Sequence, residues 1–120
     1  MLRYTIDEEH GIVTVTPEGD IVATDYRELT DAIDRYNAAH PALSKVMILT
    51  EHFPHWDTFA SFFQHLKFIR EQRSTVRKVA AVTDAGFLSI MPQFVDHFVK
   101  AEIRHFAYGD RQLAEEWLQS

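Results

Sequence analysis

The stretch His52-Phe53-Pro54-His55 places two imidazoles three residues apart, with Glu51 and Asp57 beside them. Neutral imidazoles and carboxylates are the side chains that hold divalent transition metals. A complete metal site would need a third donor, and His65 is a candidate further along the chain. Pro54 leaves the loop geometry open, and the same residues also read as a polar loop following a strand. The seven His and 18 acidic residues are enough material for an acid–base pair. Other marks of catalysis are missing. There is no Cys, so thiolate ligands, disulfides and cysteine nucleophiles are excluded. No Ser/His/Asp spacing, Gly-rich phosphate loop or zinc-hydrolase pattern occurs. Gly86 stands alone at a strand-to-helix turn and makes no phosphate cradle. The expectation is a protein without catalytic residues, bound metal or cofactor; an enzyme built on His52, His55 and Asp57 is the competing reading.

The aromatic residues are distributed unevenly. All nine Phe lie at or after position 53. Phe59, Phe62, Phe63, Leu66 and Ile69 fall on one side of a helical wheel, an arc of about 120° at 100° per residue. That width suits packing on a sheet. Phe68 falls on the opposite side, between Lys67 and Arg70. An aromatic amid basic side chains suits an anionic membrane surface or partner; a singly exposed Phe needs no function at all. Further on, Phe87, Leu88, Ile90, Met91, Phe94, Val95, Phe98 and Val99 would span about 180° of a helix, more than one sheet face buries. A neighbouring helix, a second subunit, an apolar ligand or a bilayer would cover the excess. Pro92 removes one helical hydrogen bond and can kink this segment into a lid. Trp56 packs as a hydrophobic staple or lines a pocket mouth.

These residues need elements to position them. The chain has 120 residues, 46% hydrophobic and 25% charged, which predicts a single domain spanning 1–120. Residues 2–7 and 12–16 alternate and form a hairpin around Gly11. Asp25 starts a helix, with Glu28 completing a capping box and Tyr26, Leu29, Ala32, Ile33 and Tyr36 on its buried face. His40-Pro41 stops it. Lys45–Thr50 and Arg77–Thr83 are continuous apolar runs of the buried parallel-strand type. Helices are expected at roughly 58–73 and 87–100, a last strand at 102–107, and a final helix opened by Gly109-Asp110. The order β-β-α-β-α-β-α-β-α predicts an α/β fold: a five-stranded mixed sheet with an N-terminal hairpin and four helices.

The net charge of −6 argues against nucleic-acid binding. One basic island interrupts it: residues 61–78 carry five basic side chains against Glu71. The N-terminus lacks the apolar run of a signal peptide, and no run approaches the roughly 18 residues that span a bilayer. The expected location is cytoplasmic, with peripheral contact at a membrane as an extension of the Phe68 reading.

Several short motifs occur in a telling order. They are Gly11-Ile12-Val13-Thr14-Val15 with Gly19-Asp20-Ile21, Asp25-Tyr26, Trp56-Asp57, Lys78-Val79-Ala80-Ala81-Val82-Thr83-Asp84, and Ala101-Glu102-Ile103-Arg104-His105-Phe106 leading to Ala114-Glu115-Glu116-Trp117-Leu118. Together they resemble the SpoIIAA-like family, a branch of the STAS-like fold, over essentially the whole chain. The resemblance implies small proteins suspected of binding apolar ligands or membranes. Anti-sigma factor antagonists of this fold carry an Asp-Ser-Ser-Gly-type motif, with a phosphorylated serine, where the second helix begins. Here that junction reads Trp56-Asp57-Thr58-Phe59-Ala60. Asp57 and Thr58 keep an acid and a hydroxyl; the second serine and the glycine are gone.

Two functions follow from these observations. The first is a non-enzymatic binding domain for an apolar or amphipathic small molecule or lipid. Trp56, Phe59, Phe63, Phe87, Met91, Phe94 and Phe98 would wall the ligand space, and Lys67, Phe68 and Arg70 would meet a membrane or partner. The alternative is a STAS-type regulatory protein–protein module without the usual phosphoserine motif, with Asp57 and Thr58 at its surface. A homodimer is expected from the excess apolar helix surface and the edge strand of the hairpin.

Overall fold

The computed structural model describes residues 1–19, 22–41, 43–52, 76–89, 91–92 and 101–120. Strand β1 (Leu2–Asp7) pairs antiparallel with β2 (Ile12–Pro17), from Leu2 opposite Pro17 to Asp7 opposite Ile12. The turn between them is held by Asp7. Its Oδ1 accepts the amides of Glu9 at 3.1 Å and His10 at 3.2 Å, and its carbonyl accepts Gly11 N–H at 2.8 Å. Gly11 closes the turn at φ +66°, a conformation costly for residues with a Cβ. Strands β3 (Lys45–Leu49), β4 (Lys78–Thr83) and β5 (Glu102–Ala107) follow, and the sheet order is β1-β2-β3-β4-β5. From β2 onward every neighbour is parallel.

Helix α1 (Ala23–Ala39) begins two residues before Asp25. Val22 occupies the cap position and offers no side-chain acceptor. Asp25 therefore caps from inside the first turn, its Oδ2 accepting Val22 N–H at 2.9 Å. The expectation that Asp25 is the cap residue, paired with Glu28, is corrected accordingly. All five residues of the expected apolar face, Tyr26, Leu29, Ala32, Ile33 and Tyr36, are buried. Tyr26, Leu29, Ile33 and Tyr36 form one cluster with Val13, Val15, Val46, Ile48, Val79 and Ala81.

The other sheet face has its own core. Ile12, Met47, Ala80, Val82 and Phe106 meet Ala114 and Leu118 of helix α2 (Arg111–Gln119), which follows a 3-10 turn at Tyr108–Asp110. Burial on both faces is why β3 and β4 are apolar throughout instead of alternating. Lys78, counted within the basic island, is committed to this packing. Its Nζ donates to the carbonyls of Trp117 at 3.0 Å and Ser120 at 2.7 Å, and lies 5.2 Å from the Trp117 ring centre. A cation there offsets the negative end of the helix dipole.

Two α-helices are described, against four expected. The helix expected at 58–73 lies outside the described residues. The segment expected as a helix from 87 opens instead as a 3-10 turn, Ala85–Ser89, and beyond it only Met91 and Pro92, both helical, are described. The cause is Asp84, whose Oδ1 accepts Gly86 N–H at 3.0 Å and whose carbonyl accepts Phe87 N–H at 3.4 Å. This local bonding tightens the chain as it leaves β4. Among the described residues, no helix is long and apolar enough to cross a membrane.

Candidate functional site at the carboxyl ends of the parallel strands

Open parallel sheets present ligands and partners with the carboxyl ends of their strands. Here the ends of β3 and β4 lie side by side, Leu49 opposite Val82. Thr50 continues the ladder, donating its N–H to Val82 O at 3.1 Å, and its Oγ1 donates to His52 O at 3.1 Å. That pair of bonds turns the chain outward and puts His52 on the rim with its side chain 86% exposed. Across from it stands Asp84, fixed by Gly86 N–H, with its Oδ2 3.7 Å from His52 Nδ1. A Cβ at Gly86 would approach Asp84 Oδ1 to 3.0 Å, so a glycine keeps this turn unstrained.

His105 supports the rim from β5. Its Nε2 lies 3.2 Å from the carbonyl oxygens of both Thr83 and Asp84. Two carbonyl acceptors require the proton on Nε2, which fixes the tautomer. The ring stacks on Phe87, 5.7 Å between centres and 13° from parallel. Thr83 is fully buried, and its Oγ1 donates to Asp84 O at 3.0 Å. The result is a preformed, polar and exposed pair, His52 and Asp84, on a rigid base.

A second imidazole–carboxylate contact lies at the hairpin turn. His10 Nδ1 sits 2.8 Å from Asp7 Oδ2. This hydrogen bond, with support from the Glu9 and His10 amides, holds the Asp7 carboxyl below the ordinary carboxylate range. Among the described residues, no group of three or more His, Asp or Glu could hold a metal.

The structure places few of the expected site residues. Phe87 is completely buried in the α1-side core, and Met91 packs partly buried against the same cluster. Trp56, Asp57, Thr58, Phe59, Phe63, Lys67, Phe68, Arg70, Phe94 and Phe98 lie outside the described residues, as do His55 and His65. Sequence reasoning singled out His52 but missed its neighbours Asp84 and His105. The signals were present: Asp84-Ala85-Gly86 after a strand marks an Asx turn, and alternation along β5 sends His105 to the face opposite Phe106.

The model of the family described as SpoIIAA-like matches residues 12–119. The chain belongs to the SpoIIAA-like family. Neither a curated protein nor a solved structure matches it. The SpoIIAA-like match starts at the first residue of β2 and ends at the last residue of α2, so β1 lies before it.

Proposed function

We propose that this SpoIIAA-like chain is a regulatory protein-interaction module of the STAS type, and that its partner surface is the rim formed by His52 and Asp84 together with Asp57 and Thr58. One observation carries the reading. Asp84 is oriented by Gly86 N–H, and its carboxylate faces an imidazole that is 86% exposed and contributes almost nothing to the fold. Ordered polar groups that stability does not require suit recognition. The missing Ser-Gly pair at residues 59 and 60 favours recognition without a phosphoserine switch. The test is site-specific photo-crosslinking in cells. A crosslinker at position 52 is expected to capture a discrete partner, and Asp84→Arg or Thr58→Ala to weaken capture. The control is position 9 in the β1–β2 turn, which is exposed and lies at the opposite end of the parallel strands from the rim. Equal capture from both positions would sink the proposal.

A second reading is a binding space for an apolar small molecule or lipid, walled by Trp56, Phe59, Phe63, Phe94 and Phe98 beside Phe87 and Met91. Lys67, Phe68 and Arg70 would meet anionic headgroups, so that a cytoplasmic protein touches the membrane peripherally. Met91 favours it: partly buried, it packs against the core cluster that holds Phe87, so two of the named wall residues lie together. Native mass spectrometry of the purified protein tests the ligand. Sedimentation with anionic vesicles, repeated on Phe68→Ser with Lys67→Glu, tests the membrane contact. A bare mass together with no co-sedimentation with anionic vesicles would remove this reading.

A further inference from the structure

β1 is the outer strand of the sheet, and the ladder shows which of its backbone groups face outward. Met1 and Glu18 exchange both backbone hydrogen bonds, at 2.6 and 2.7 Å. Such pairs recur at every second residue of an antiparallel ladder, so Arg3, Thr5 and Asp7 direct their N–H and C=O groups toward β2. Leu2, Tyr4 and Ile6 direct theirs to the open edge, and no strand of the described residues pairs with them. Edge strands are commonly blocked by a bulge, a proline or charged side chains. β1 has no bulge or proline and runs in unbroken register with β2 from end to end, and its two charges, Arg3 and Asp7, are of opposite sign.

The side chains of β1 complement their own reversal. Two copies joined antiparallel about Thr5 set Tyr4 opposite Ile6, and both residues carry the outward-facing backbone groups. The same register sets Arg3 opposite Asp7 twice, with Thr5 opposite itself. Moving the axis to Tyr4 would put Arg3 opposite Thr5 and lose both charge pairs. Arg3 can take such a partner, because only its Nε is held, by Glu18 at 3.2 Å, and the side chain is 65% exposed. Beside this edge, on the α1 side, runs a groove of about 530 Å³ bordered by Tyr4, Ile6, Ala32, Arg35, Tyr36 and His40. Two-fold pairing brings the two grooves together along the seam, where the half-buried Tyr4 and Ile6 of each copy cover one another.

We propose that β1 is the seam of a two-fold homodimer in which two copies join edge to edge into one continuous sheet. An isologous contact of this kind closes on itself and leaves no further edge at β1. The proposal is independent of the rim's function.

Thr5 provides the test, because its exposed side chain sits on the axis and its replacement spares the hairpin turn. Sedimentation velocity on the wild-type chain is expected to show a dimer. Thr5→Asp and Thr5→Lys each set like charges face to face and are expected to weaken the dimer by up to about fivefold. Mixing the two variants is expected to restore it, since the mixed pair is Asp against Lys. Arg3→Asp, which faces Asp7 across the seam, is expected to weaken it as well. Circular dichroism checks that each variant is folded. A monomeric wild type overturns the proposal and leaves the edge to an extended segment of another protein. A dimer indifferent to all three changes, one strengthened by Thr5→Asp, or a mixture without recovery overturns it too.

Discussion

Two histidine–aspartate contacts among the described residues put the same side chains to different uses. Asp7 and His10 meet at 2.8 Å within one turn, and Asp7 also takes two backbone amides. That pair serves the chain itself by closing a hairpin. His52 and Asp84 follow different strands, stay 3.7 Å apart, and leave the imidazole in solvent. Their geometry owes nothing to their own attraction. It is imposed from below by Thr50, Gly86, His105 and Phe87. The close pair is thus the structural one, and the loose pair is the one available to something outside.

The support beneath the rim can be removed, and the largest effect is expected at Phe87. Its ring is completely buried and stacks on His105. Phe87→Ala is expected to cost about 3–5 kcal/mol of stability, read as a lowered denaturant midpoint. A loss below about 1 kcal/mol would instead make Phe87 a dispensable wall residue, outside that range for a core aromatic. His105→Leu comes next. It keeps the apolar contact with Phe87 but removes the imidazole donor from the carbonyls of Thr83 and Asp84, the latter still accepting from Thr83 Oγ1 and Phe87 N–H, at a cost of about 1 kcal/mol. Faster hydrogen exchange at the Gly86 amide is the accompanying sign that the rim has loosened. A variant as stable and as protected as the wild type would show that the rim does not depend on this imidazole.

Phe87 also shows where sequence periodicity works and where it fails. The strands at 2–7 and 102–107, and all five buried residues of α1, follow from periods of 2 and 3.6 because regular backbone converts spacing directly into facing. At residues 85–89 the backbone is 3-10, and a wheel drawn at 100° per residue misassigns the faces. Phe87 and Leu88 count together in the wide apolar arc, yet one is buried and the other 52% exposed. Asp25 is a smaller case: a carboxylate at the cap position and one at the third helical position bond neighbouring amides, so composition alone cannot separate them. The rim was legible only at His52. Its partners depend on the register of β3 with β4 and of β4 with β5, which no local spacing encodes.

The smallest expected effect is the most direct test of the contrast between the two pairs. Hydrogen bonding to His10 and to the turn amides lowers the Asp7 pKa, so the ionised carboxylate is favoured by folding. Its stabilisation is fully present above the ordinary carboxylate pKa of about 4 and fades as pH falls through the lowered folded-state value. Asp7→Asn is therefore expected to cost a few tenths of a kcal/mol to about 1 kcal/mol near neutral pH, its half-exposed setting keeping the effect small. The difference from wild type should shrink below about pH 4, where the wild-type carboxylate is itself protonated. His52→Asn is expected to change stability by no more than about 0.5 kcal/mol at any pH, because an ion pair at 3.7 Å with one partner in solvent adds little. Parallel urea titrations of both variants across that pH range decide the matter. If His52→Asn proved the more costly change, the rim pair would be part of the fold, and the separation between a structural and an outward-facing pair would collapse.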